Sequence, residues 1–162
     1  MLQRKKSREF QPKFLKRWVN CLLGEEKHPL WLIEFYGERE CEIAKIALQQ
    51  ASNYRTIAYL DPFDNLRSQN SRPDLVLKPD ALEQAIAMSL ELFKTKIVEL
   101  LMIDSLFLLP SQKTGYEESL VQLVKLAERY AKPVFLLNPD NTARRLLEKN
   151  LKSFCSSQIW VR

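Results

Sequence analysis

The feature that most constrains the fold is an alternation of short, continuous apolar runs with segments whose apolar residues recur at helical spacing. Leu30-Trp31-Leu32-Ile33-Glu34-Phe35 reads as a buried strand. Ile43, Ile46, Ala47 and Ala51 share a helical face, and Thr56-Ile57-Ala58-Tyr59-Leu60 forms a second strand that ends at Asp61. A polar loop through Arg72 and Pro73 leads to a short strand, Leu75-Val76-Leu77. Pro79-Asp80 opens a helix with Leu82, Ala85, Ile86, Ser89 and Phe93 on one side, and the most apolar strand, Leu100-Leu101-Met102-Ile103, ends at Asp104. After a loop from Pro110 to Gly115 come a helix marked by Leu120, Leu123, Val124 and Ala127 and a strand, Val134-Phe135-Leu136-Leu137. A helix capped by Thr142, with Ala143, Leu146 and Leu147 on its apolar side, precedes a closing strand over Gln158–Arg162.

Strands that are apolar on both faces must be covered on both, and helical crossovers join them as parallel neighbours. The pattern predicts an α/β fold of three layers: a mostly parallel sheet with helices on both faces. Ligands of such sheets bind beyond the carboxyl ends of the strands, here the edge that carries Gly37, Asp61, Asp104 and Asn138.

The alternation begins at residue 29, which divides the chain into an N-terminal arm and helix (1–28) and a core domain (29–162). Pro12 suits a first helical turn and Gly24 a helix end. Between them Leu15, Trp18, Val19 and Leu22 form an apolar stripe, which predicts an amphipathic helix. The net charge of +5 is concentrated in the arm, where Arg4, Lys5, Lys6, Arg8, Lys13, Lys16 and Arg17 face Glu9 alone. Such an arm suits an acidic partner, nucleic acid above all, or else serves as a solvated tail.

No apolar run approaches the roughly 18–20 residues of a membrane span, and no signal-peptide core follows the basic start. A cytoplasmic protein with no membrane contact is the expectation. Cys21, Cys41 and Cys155 are widely spaced and have only His28 to join them, so they are expected to be buried or half-buried free thiols, with no metal site.

Several segments, taken in order, resemble the RecA recombinase family over most of residues 29–162. Ile33-Glu34-Phe35-Tyr36-Gly37 is similar to the strand that leads into that family's phosphate loop, and Asp61 matches an aspartate ending its next strand. Pro79-Asp80-Ala81-Leu82-Glu83-Gln84-Ala85 resembles a helix start of the family. Val98-Glu99-Leu100-Leu101-Met102-Ile103-Asp104-Ser105 resembles the strand ending in its magnesium-organising aspartate. Asn150-Leu151-Lys152-Ser153-Phe154-Cys155-Ser156-Ser157 looks like the run before its closing strand. The resemblance implies a RecA-like core.

The departures bear on function. A phosphate loop ends in glycine, lysine and a hydroxyl residue, which wrap the phosphates, reach the terminal ones and hold Mg²⁺. Counted from Gly37, those positions hold Glu42, Ile43 and Ala44. Glu38, Glu40 and Glu42 add carboxylates where a polyanion would lie, against Arg39 alone. The resemblance places the catalytic glutamate at Phe63 and the phosphate-sensing glutamine at Pro139, after Asn138. It follows that the chain has no nucleotide cofactor and hydrolyses no ATP. Asp61 and Asp104 could share Mg²⁺ for phosphoryl chemistry, but an acid at a strand end more simply caps the loop that follows, as Asp104 could with Ser105.

The family's two long DNA-binding loops are reduced here to Leu109-Pro110-Ser111-Gln112-Lys113-Thr114-Gly115-Tyr116 and to Asn138-Pro139-Asp140-Asn141 with a helix. On that helix Arg145, Lys149 and Lys152 form a stripe that could meet phosphates, with Tyr116 or Trp18 for stacking, or could be a solvated face with Glu148 balancing Arg144 and Lys152. The expected function is a non-catalytic RecA-like accessory role in DNA recombination, repair or the damage response. It would act through a protein partner, a recombinase or a second copy held by the N-terminal helix, and through nucleic acid. The alternative is a cell-division inhibitor similar to the SulA family, which binds the tubulin-like division GTPase. Binding to that GTPase separates the two.

Overall fold

Strand and helix follow from where the apolar side chains must go. In the run Leu32–Gly37, β1, successive side chains point to opposite faces and nearly all are buried. The same holds for β2 (Ile57–Leu60), β4 (Leu100–Asp104) and β5 (Val134–Pro139), while β3 (Leu75–Leu77) and β6 (Ser157–Val161) are more open. The computed structural model describes residues 31–70 and 72–162; the arm and helix expected within residues 1–28, with Cys21 and His28, lie outside them. The strands hydrogen-bond in the order β3-β2-β4-β5-β1-β6, and every neighbouring pair is parallel.

Helices cover both faces. α1 (Glu40–Gln50) buries Ile43, Ala44, Ala47 and Leu48 against Ile33, Phe35, Tyr59, Met102, Phe135 and Leu137. The opposite face, with Leu32, Leu60, Leu101, Ile103 and Leu136, carries α2 (Leu82–Lys94) and α3 (Tyr116–Tyr130). On α3, Leu120, Leu123, Val124 and Ala127 are fully buried. Each large aliphatic side chain so placed contributes about 1.5–3 kcal/mol. The connection from β1 crosses one face toward β2, and those leaving β3, β4 and β5 return across the other, as a single crossover hand requires. The α/β three-layer architecture read from the sequence is therefore the one observed, with a sheet that is wholly rather than mostly parallel.

The last helix departs from expectation. It is two short helices, α4 (Thr142–Leu146) and α5 (Glu148–Phe154), parted at Leu147, whose φ of −99° and ψ of 7° leave the helical region. Asn141, not Thr142, caps α4 by accepting the Arg144 N–H at 3.0 Å. Leu146, expected on an apolar side, is 80% exposed. Among the described residues no helix is long and apolar enough to cross a membrane.

Candidate functional site

Parallel register brings the expected residues to one edge. Gly37 pairs with Pro139 and with Val161, Asn138 pairs with Tyr36, and Asp104 pairs with Leu137. Leu60, just before Asp61, pairs with Ile103 just before Asp104. Gly37, Asp61, Asp104 and Asn138 thus stand at the carboxyl ends of β1, β2, β4 and β5.

The chain closes immediately after β1. A Cβ built on Gly37 would lie 2.2 Å from the Val161 carbonyl oxygen, so β6 requires the glycine whatever its other role. The Gly37 carbonyl accepts the Asp140 N–H at 2.7 Å. α1 starts at Glu40, and the Glu42 and Ile43 N–H groups both donate to the Arg39 carbonyl at 3.1 Å. Ile43 and Ala44, in the positions of a phosphate loop's lysine and hydroxyl, are core residues. Glu40 and Glu42 occupy the first turn, where carboxylates favour the positive end of the helix.

The loop after β2 folds back over this helix start. Asp61 is buried and accepts the Asn65 and Leu66 N–H groups at 2.8 and 3.0 Å. Leu66 enters the core, and Gln69 donates its side-chain amide to the Cys41 carbonyl at 2.8 Å. Between loop and helix lies an open hollow of about 450 Å³ lined by Glu38, Glu40, Cys41, Asp64, Asn65, Arg67 and Ser68. Lys78 pairs with Asp64 at 2.8 Å, which holds the Asp64 carboxyl below its ordinary range. Among the described residues, Arg67 is the only cation lining a hollow with three carboxylates. Phe63 presents an exposed ring nearby in sequence.

Asp104 is buried on the same face. One oxygen accepts the Tyr59 hydroxyl at 2.6 Å; the other accepts Ser105 Oγ at 2.7 Å and Asn65 Nδ2 at 3.1 Å. Burial pushes its pKa up to about 6 in spite of those donors. Tyr59 is raised far above its usual range, first by burial and then by Asp104. All four oxygens of Asp61 and Asp104 therefore accept from protein donors: Asp61 caps the loop that follows it, and Asp104 makes the Ser105 contact considered for it in the sequence. Among the described residues no group of three or more His, Cys, Asp and Glu is placed to hold a metal ion.

A second polar cluster, on the other face, was not foreseen. Glu34 is fully buried and accepts Arg144 Nε at 2.9 Å, a second Arg144 nitrogen at 3.1 Å, Asn138 Nδ2 at 2.9 Å and Gln158 Nε2 at 2.5 Å. Arg144, 3% exposed, lies over the Tyr36 ring at 3.7 Å, and Trp160 stands edge-on to the same ring. Burial opposes the guanidinium charge, but the Glu34 hydrogen bonds and charge outweigh it and raise the Arg144 pKa. Asn138 Oδ1 is buried without a partner among the described residues. The sequence held one signal of this cluster, a carboxylate inside an apolar strand, because a buried charge demands an opposite one.

The basic stripe is not a uniform surface. Arg145 pairs with Asp140 at 3.1 Å and Lys152 with Glu148 at 3.0 Å, while Lys149 is exposed with no ion pair among the described residues. Tyr116 is turned inward, donating to the Leu109 carbonyl at 2.7 Å and lying edge-on to Phe107. Arg4, Lys5, Lys6, Arg8, Lys13, Lys16, Arg17 and Trp18 lie outside the described residues. Of the thiols, Cys41 is exposed rather than half-buried, and Cys155 is partly buried with its pKa raised by burial. Comparison with known proteins finds no family model that matches this chain and no curated protein that matches it.

Proposed function

We propose that the chain is a RecA-like accessory protein without ATPase activity, serving DNA recombination, repair or the damage response through protein and DNA contacts. The observation that carries this reading is the closed carboxyl edge after β1. There Gly37 is held between β5 and β6, the first turn of α1 is acidic, and the positions that would grip a phosphate point into the core. Gly37, Asp61, Asp104 and Asn138 stand at carboxyl strand ends, an arrangement compatible with a RecA-like core and with other parallel α/β sheets. Contact with nucleic acid would fall to the arm of residues 1–17, assisted by Lys149 and by Arg145, which is 67% exposed although paired. Cytoplasmic location belongs to the same reading.

The experiment is binding to single-stranded and duplex DNA across a salt series, for the full chain and for a chain lacking residues 1–11. The truncation removes Arg4, Lys5, Lys6 and Arg8. Affinity should fall steeply with salt for the full chain, and the slope should flatten after truncation. No DNA binding at low salt, together with no co-sedimentation with a recombinase, would overturn the proposal.

A further inference from the structure

Among the described residues, nothing covers the sheet face that carries α1 at the amino ends of β5, β1 and β6. A half-open groove of about 640 Å³ lies there, at the opposite end of the strands from the edge described above. That volume is within the range of about 300–1,000 Å³ typical of small-molecule sites. Its floor is set by strand register: Ile33 pairs with Phe135, and Phe35 pairs with Ile159. The Phe35 and Phe135 rings are 5.0 Å apart, and Tyr54 stands edge-on to Phe135 at 6.3 Å.

One charge lining this apolar floor has no partner among the described residues. After α3, Ala131 adopts a left-handed backbone with φ of 55°, and the turn brings Lys132 to the groove wall ahead of β5. Lys132 is half-buried, and its Nζ is covered and has no hydrogen-bond partner among the described residues. Burial lowers the pKa of its ammonium, and Glu99, which also lines the groove, opposes that shift without forming an ion pair with it. The Glu99 carboxylate instead accepts the Arg55 N–H at 2.8 Å. An ammonium shielded from water without a partner is costly in proportion to its burial, and a ligand that supplies an anion relieves that cost.

We propose that this groove binds a small amphipathic carboxylate, its aryl or short acyl body on Phe35, Phe135 and Ile159 and its carboxylate on Lys132. The site is independent of the DNA reading and stands or falls without it. The test is a methyl-NMR titration of the full chain with 4-phenylbutyrate and with its neutral analogue, 4-phenylbutan-1-ol. The acid should shift the Ile33 and Ile159 methyls saturably and bind at least tenfold more tightly than the alcohol. Lys132→Met should abolish that tenfold preference, and Ile159→Trp, which fills the floor, should remove both responses. If neither compound titrates those methyls, or both bind wild type equally, the proposal fails.

Discussion

Glu34 places a carboxylate inside a strand whose other residues are almost all apolar, and the fold tolerates it because four donors converge there. The pair with Arg144 is one in which each partner makes the other tolerable. Removing one side leaves a buried charge, so Arg144→Met should cost about 3–5 kcal/mol in urea unfolding. Glu34→Leu combined with Arg144→Met removes both charges and should recover most of that loss. A double variant as unstable as the single one would show that the charges are not coupled. The pair was hard to read from sequence because its members are 110 residues apart and meet only through the β5-β1-β6 order. Asp61 and Asp104 were easier: an acid directly after an apolar run signals a strand end, although not which donors will meet it.

At the scale of elements, β6 and the loop before α3 each depend on one residue. Gly37→Ala would press a Cβ onto the Val161 carbonyl, backbone that cannot rotate away. The expected loss is about 1–3 kcal/mol, the range for overpacking, with amide protection falling first in β6 while β2 and β4 stay protected. Equal protection in β6 of both proteins would contradict this. In the loop, one Glu83 oxygen accepts the N–H groups of Gln112, Lys113 and Thr114 and the Ser111 hydroxyl. The Lys113 and Thr114 backbone bonds lead the causes that lower the Glu83 pKa from 4.5 to about 2. A depressed folded-state pKa gives stability that is present above pH 4.5 and is lost as pH falls toward about 2. Glu83→Gln should therefore flatten the dependence of Tm on pH over that window, and an unchanged profile would argue against the loop anchor. The strands and α1 to α3 were legible because continuous runs and helical stripes are strong signals. The break at Leu147 was not, because Ala143, Leu146 and Leu147 keep helical spacing across a turn that is no longer helical.

For the whole molecule, the two ends of the sheet carry two kinds of polar chemistry. The carboxyl edge holds hydrogen-bonded acids and an acidic hollow, and the amino end holds a groove with a lysine that has no partner among the described residues. The strand-end positions of the candidate site were legible from sequence. The loop donors that satisfy Asp61 and Asp104 were not, since Asn65 and Leu66 lie in a segment that carries no periodic signal. The central claim is that the closed edge after β1 admits no triphosphate, and thermal unfolding with ATP and Mg²⁺ tests it most directly. A ligand at 100 times its Kd adds about 2.7 kcal/mol of stability, which a Tm measurement resolves easily. The account predicts no change in Tm at millimolar nucleotide. A saturable rise in Tm that Gly37-region substitutions abolish would contradict it.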